Sequence, residues 1–266
     1  MMLRGDVAVK LGISTACLYP METERALETL VPMGFQAYEV FFNTFRELEP
    51  DFVKHLRSLA NGGEFVSIHP FTSGFETMLL FSSYRRRFED TLEKYRRYFD
   101  AANQLGAKIF VLHGEREPER STITEEEYFS RYVAIYRLGQ EYGITVAQEN
   151  VNRFRSECPL FIQRMRAALG EECAFVFDVK QAVRAGKDPY EMLCAMGEQL
   201  VHVHINDNTP QEDCLLPGRG IMDYERLRKM LQSFSYNSCI LLEVYQKNFG
   251  ELSEIMDAKT CLEHFF

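Results

Sequence analysis

Eight short apolar runs punctuate the chain, each followed by a polar loop and, in most cases, a stretch with helical periodicity. The runs cover positions 8–14, 36–41, 65–69, 108–113, 145–149, 174–178, 201–205 and 239–244. They are rich in Val, Ile and Phe and nearly continuous in apolarity, as strands buried on both faces are. The clearest helix is predicted over 85–105, where Phe88, Leu92, Tyr95, Tyr98, Phe99, Ala102 and Leu105 recur at three- and four-residue steps. Gly34, Gly106, Gly143 and Gly170 each stand where a helix should stop before the next run; glycine accepts the left-handed conformation that closes a helix. Strand alternating with helix implies a parallel sheet with right-handed crossovers. Eight such units in 266 residues predict a closed α/β fold, the (β/α)8 TIM barrel, with 1–266 as a single domain. A doubly wound open sheet is the rival, but the first run is followed by no G-x-G-x-x-G.

In such a barrel the active site forms at the C-terminal strand ends, and here those ends are polar. The third and fourth runs end at His69 and His113, the fifth at Glu149 and the sixth at Asp178. The seventh supplies His204 and Asp207, and the eighth supplies Glu243. Singly, each is more often a helix cap, a solvated charge or a satisfied core histidine. Together they place metal-capable side chains at the same end of six successive strands. Converging carboxylates repel one another unless a cation neutralises them, so a divalent metal is expected. A mostly hard donor set suits Mn²⁺, Mg²⁺ or Co²⁺, and the extra histidines also suit Zn²⁺.

Composition narrows the function classes. The net charge of −9 argues against gripping a phosphate backbone, so nucleic acid is disfavoured unless a local basic patch overrides the total. Seven cysteines without a C-x-x-C pair read as free thiols in a reducing cytoplasm. The first residues carry no apolar stretch of signal-peptide length, and no window reaches the roughly 20 apolar residues of a membrane span. A soluble, cytoplasmic protein is expected.

With these residues in view, the chain resembles the xylose isomerase-like barrel superfamily, the sugar isomerase and epimerase group that also includes endonuclease IV. The resemblance covers nearly all of the chain. It rests on Ser-Ile-His-Pro-Phe at 67–71, Leu-Gly-Ala-Lys at 105–108, Val-Leu-His-Gly at 111–114, Glu-Asn at 149–150, Phe-Asp at 177–178, His-Val-His-Ile-Asn-Asp at 202–207 and Pro-Gly-Arg-Gly at 217–220. It implies one metal on Glu149, Asp178, His204 and Glu243, with Glu149 and Glu243 also moving the proton on the two faces of a substrate carbon. It implies that His69 and His113 join Glu149 around a second metal, as their counterparts do in endonuclease IV; contact with substrate oxygens or hydrogen bonding behind the ligands are the alternatives.

The departures from the family pattern bear on chemistry. Gln181 and Cys214 stand where histidines are usual, and Glu212 where an Asp is usual. These positions serve the third zinc of endonuclease IV, so trinuclear phosphodiester cleavage is put in doubt. Lys180 and Arg219 are unusual, and read either as contacts to an anionic substrate or as surface charge. Cys214 is a replacement ligand or a free loop thiol. Asp207 is a candidate to orient a ligand histidine, and His202 a core residue one layer below His204.

The resulting expectation is a metal-dependent sugar or sugar phosphate isomerase/epimerase of carbohydrate metabolism, acting through an enediolate, with a small carbohydrate as partner. An endonuclease IV-like phosphodiesterase, an inosose dehydratase-like lyase and a non-catalytic sugar-binding barrel are the alternatives. No membrane partner is expected, and a homo-oligomer is left open. The loop over 70–83, with Phe71, Phe75 and Phe81, is expected to form a lid or apolar wall, packing of the aromatics against the neighbouring loop or a partner subunit being the alternative. Arg85, Arg86 and Arg87 are expected to be a solvated helix start, with phosphate contact as the alternative.

Overall fold

In the computed structural model, which describes residues 9–266, eight parallel strands close into one barrel in chain order, β8 pairing back onto β1. They are β1 (Lys10–Ser14), β2 (Ala37–Phe42), β3 (Glu64–Pro70), β4 (Ile109–Leu112), β5 (Thr145–Glu149), β6 (Phe175–Asp178), β7 (Leu200–Ile205) and β8 (Cys239–Leu242). The helices are α1 (Thr23–Leu30), α2 (Pro50–Leu59), α3 (Glu76–Leu79), α4 (Arg85–Leu105), α5 (Glu125–Glu141), α6 (Pro159–Leu169), α7 (Val179–Arg184), α8 (Pro189–Met196), α9 (Tyr224–Ser233) and α10 (Leu252–Phe265). This is the (β/α)8 TIM barrel that the apolar rhythm predicts. Each of the eight runs holds a strand, with ends shifted by up to two residues; position 8 and the N-terminal segment read for a signal peptide lie outside the described residues. The backbone N–H of Glu243 still donates to the Ile205 carbonyl at 3.1 Å, so the β7–β8 ladder runs one residue beyond β8.

Strand alternation sorts the side chains into two layers. Phe110, Leu112, Val146, Phe175, Phe177, Val203, Ile205, Ile240 and Leu242 join the large core between barrel and helices. Ile109, Val111, Ala147, Ala174 and Val176 form one small cluster, and Ala37, Cys239 and Leu241 another, filling the barrel's inner layers. The interior is tight at β1: a Cβ on Gly12 would lie 2.8 Å from the Ala37 carbonyl oxygen and 2.9 Å from the Cys239 sulfur.

Helix α4 matches its predicted span. It buries Tyr95, Tyr98 and Phe99, all of which pack against Phe110 of β4. It ends at Gly106 with φ +90°, where the N–H groups of Gly106 and Ala107 both donate to the Ala102 carbonyl. The three arginines at its start are exposed. The 70–83 loop coils into a 3-10 turn (Phe71–Phe75) and then α3. Its far end is anchored: Phe81 stacks on Tyr128 at 4.3 Å, and the buried Arg131 guanidinium donates to the carbonyls of Leu80 and Ser82. All seven cysteines are free, and no helix among the described residues is long and apolar enough to cross a membrane.

Candidate metal centre

The alternation that fills the barrel also builds the site. Val111, Ala147, Val176, His202 and Leu241 point inward, so His113, Glu149, Asp178, His204 and Glu243, each two residues further on, do the same at the C-terminal end. Ser67 and His69 of β3 follow the same rule.

Four of these side chains converge. Nδ1 of His204 lies 3.2 Å from Glu149 Oε1, 3.2 Å from Glu243 Oε2 and 3.8 Å from Asp178 Oδ2. Glu149 turns its other oxygen toward a second group: Nε2 of His113 lies 2.9 Å from Glu149 Oε2 and 2.9 Å from His69 Nε2. Within each group the donor atoms lie within 4.8 Å of one another, so Glu149 is common to two metal-capable clusters.

A third set lies beneath, and here the sequence reading missed a residue. Glu39, in the middle of β2, is fully buried; its Oε2 accepts from Ser67 Oγ at 2.8 Å and faces His204 Nε2 at 3.1 Å and His202 Nε2 at 3.6 Å. Glu39 thus grips His204 from behind, leaving Nδ1 toward the carboxylates. A signal existed. An acid flanked by Tyr38 and Val40, in a run too apolar to have a solvent face, has only the barrel interior to occupy.

Amides hold the frame. Gln148 donates through Nε2 to the carbonyls of Leu112, His113 and Glu149, while Tyr128 donates to its Oε1. Asn150 accepts from the Asp178 N–H at 2.8 Å and donates to the Asp178 carbonyl at 2.9 Å, clasping β5 to β6. Asp178 Oδ1 caps α7 by accepting from the Gln181 N–H.

Burial opposes charge throughout the site, and the outcome depends on the partners. Glu149 and Glu39 are held well below the ordinary carboxylate range because their histidines outweigh burial. Glu243 is lowered too, with Lys180 and His204 overcoming burial. At Asp178 burial prevails and the pKa rises. His204 is pushed well above its ordinary value because Glu39, Glu243 and the neighbouring carboxylates outweigh burial. Burial and the adjoining His113 depress His69 to about 4, whereas Glu149 outweighs burial at His113 and raises it.

A divalent cation fits this set. Three carboxylates and an imidazole offer hard donors that converge from four strands, and Glu149 Oε2 is buried without an aligned hydrogen-bond donor among the described residues.

The other candidates fall elsewhere. Lys180 is no surface charge: it is 2% exposed, and its ammonium bridges Asp178 and Glu243. Arg219 pairs with Glu254 of α10 and does not line the cavity above the site. Asp207 contacts no ligand histidine. Its carboxylate instead accepts from the N–H groups of Asn208, Gly218, Gly220 and Met222, tying down the Pro-Gly-Arg-Gly loop. A Cβ on Gly220 would lie 2.3 Å from that carboxylate, which is why the loop needs glycine there. Gln181 lines the cavity but turns its Oε1 to the Asn152 N–H, and the Cys214 thiol is buried and pushed up to about 11 by burial.

The cavity over the cluster has a volume of about 430 Å³. Its floor carries His69, His113, Glu149, Lys180 and Glu243. Its walls are largely aromatic, with Tyr19, Phe41, Phe71 and Tyr245, none of them singled out from sequence except Phe71.

Known proteins share this frame. An uncharacterised protein of Mycobacterium leprae (strain TN) is 26% identical over 271 residues, covering 92% of each chain. An inosose isomerase of Bacillus velezensis is 22% identical over 229 residues, covering 80% of this chain and 81% of its own. Among solved structures, a D-tagatose 3-epimerase-like protein superposes with a TM-score of 0.79 at 22% identity, covering 97% of both chains. Residues 27–263 match the profile of one family across all eight strands but the first. The chain belongs to the xylose isomerase-like TIM barrel family.

Proposed function

We propose that this chain is a divalent-metal-dependent isomerase or epimerase of a small carbohydrate, moving a proton at a carbon next to a carbonyl. The observation that carries the reading is the pairing of Glu149 and Glu243, on β5 and just past β8, in one metal-capable cluster, with both lining the cavity. The metal would be held by Glu149, Asp178, His204 and Glu243; when bound, it supplies the Lewis acidity that acidifies a C–H beside a carbonyl.

The chain's own groups do the rest. Glu149 and Glu243, both held in the ionised form, stand ready to take a proton from a substrate carbon and to return it. Return on the opposite face gives an epimer; return to the neighbouring carbon gives an isomer. His69, kept neutral, and His113 face the same cavity and can hold substrate oxygens by hydrogen bonds. Phe41 and Phe71 line the same cavity and give it an apolar wall beside these polar groups. The cavity volume falls in the range of about 300–1,000 Å³ usual for small-molecule sites. The similarity to an inosose isomerase and a D-tagatose 3-epimerase-like protein supports the same reaction class.

The His69–His113–Glu149 cluster favours a second reading, metal-dependent phosphodiester cleavage. Gln181, engaged with Asn152, and Cys214, buried apart from every cluster, leave that reading without its third set of ligands.

The test is product analysis. Mn²⁺-loaded and chelator-treated protein would be incubated with ketoses, aldoses, inososes and their phosphates, and the products resolved by chromatography. Metal-dependent appearance of an isomer supports the proposal. Loss of water from the substrate, or cleavage of a phosphodiester without any isomer, would overturn it.

A further inference from the structure

Lys180 places an ammonium inside the carboxylate cluster. It stands in the first turn of α7, two residues past Asp178, and its side chain folds back so that Nζ donates to Asp178 Oδ2 and Glu243 Oε2. Asp178 divides its labour: Oδ1 caps α7, and Oδ2 takes the ammonium. Those same atoms, Oδ2 of Asp178 and Oε2 of Glu243, face His204 Nδ1. An ion bound by the four-residue set therefore has to take the two oxygens that the ammonium already holds. Nζ cannot stay between them, because the ammonium offers only donors and its charge repels the ion.

The surroundings provide somewhere to go. Lys180 lines the cavity, and Nζ lies 5.8 Å from the centroid of the Tyr245 ring, which Arg184 also faces at 5.0 Å and Lys247 Nζ at 5.8 Å, so the ring already gathers cations at this edge of the cavity. Tyr245 is itself held in place by a hydrogen bond from Arg184 to its hydroxyl.

We propose that Lys180 is a resident counter-cation that a divalent metal displaces. Ammonium and metal exchange on Asp178 and Glu243, and the released ammonium remains in the cavity beside Tyr245, where it faces the substrate. This rests on the reading of the four-residue cluster as a metal site. Two consequences follow from charge. The exchange weakens metal affinity, since an existing pair of ion pairs must break. It also stabilises the metal-free chain, whose buried carboxylates keep a partner.

The test is calorimetric titration of MnCl2 into chelator-dialysed wild type, Lys180→Gln and Lys180→Met, with melting temperatures taken before and after metal. Both substitutions should tighten Mn²⁺ binding by at least about ten-fold, lower the melting temperature of the metal-free protein, and enlarge its rise on metal addition. A variant that fails to fold without metal and folds with it gives the same support. Equal or tighter binding by the wild type would overturn the exchange while leaving the metal site standing. No binding by any of the three would overturn the exchange and the metal-dependent function together.

Discussion

Replacing Glu39 by Gln perturbs the site from behind, without touching the cavity. The Glu39 carboxylate is fully buried and held ionised by His204 and His202 against the cost of burial. It lies 3.1 Å from His204 Nε2 and accepts from it, so that when a metal binds the cluster it is Nδ1, facing Glu149 and Glu243, that turns to the ion. A glutamine of the same shape keeps one acceptor oxygen that can sit where Oε2 faces Ser67 and His204, but it loses the charge that raises His204. Carboxylates in this position behind a ligand histidine are worth roughly 10–100-fold in metal affinity, or about 1.4–2.8 kcal/mol. Glu39→Leu is harsher, because it removes the buried acceptor behind His204 Nε2 and leaves Ser67 and His202 only each other, at 3.1 Å, in the barrel interior; about 3–5 kcal/mol of stability should be lost. Titration calorimetry with Mn²⁺ measures the first effect and urea unfolding the second. Glu39→Gln with an intact fold and unchanged Mn²⁺ affinity would refute the assignment of Glu39 as the group that orients His204.

Three further outcomes are expected. Glu243→Gln should lower turnover by at least about 100-fold, the usual worth of a positioned proton-transfer group, with an unchanged circular dichroism spectrum. Gly12→Ala should cost about 1–3 kcal/mol in urea unfolding, because its Cβ meets a backbone carbonyl that cannot move aside. Glu76 is fully buried, with its Oε2 accepting from the Gly114 N–H and its Oε1 from Tyr95, and burial raises its pKa from 4.5 to about 8. A raised folded-state pKa stabilises fully below the unfolded value and is lost as pH climbs through the folded one. Relative to Glu76→Gln, the wild type should therefore lose up to about 1.4 kcal/mol per pH unit between those two values; parallel stability curves for the two proteins would contradict this.

The fold was legible because its signals are local. Unbroken apolar runs such as Ala-Phe-Val-Phe at 174–177, and glycines such as Gly106 at a helix end, mean the same thing wherever the chain takes them. The strand-end candidates were legible for a related reason: once strand and barrel are given, alternation carries Glu149, Asp178, His204 and Glu243 to one end. Glu39 obeys the same alternation but sits mid-strand, where attention to strand ends passes over it. The residues after the strands were less legible, since a loop side chain's partners are set by tertiary packing. Asp207 looked able to serve His204, yet its four backbone donors come mostly from a loop eleven to fifteen residues on. Arg219 looked able to reach an anion, yet α10 brings Glu254 to it. Lys180 was read between substrate contact and surface charge because nothing in Asp-Val-Lys tells which way a first-turn lysine folds.

The most direct measurement of the central claim is solvent deuterium incorporation. Mn²⁺-loaded protein in D₂O would be mixed with ketoses, aldoses and their phosphates, and the proton NMR signals of the substrate followed over time. The account predicts loss of one C–H signal beside a carbonyl, abolished by a chelator and by Glu243→Gln. Conversion of substrate with every such C–H signal retained would contradict proton transfer by Glu149 and Glu243.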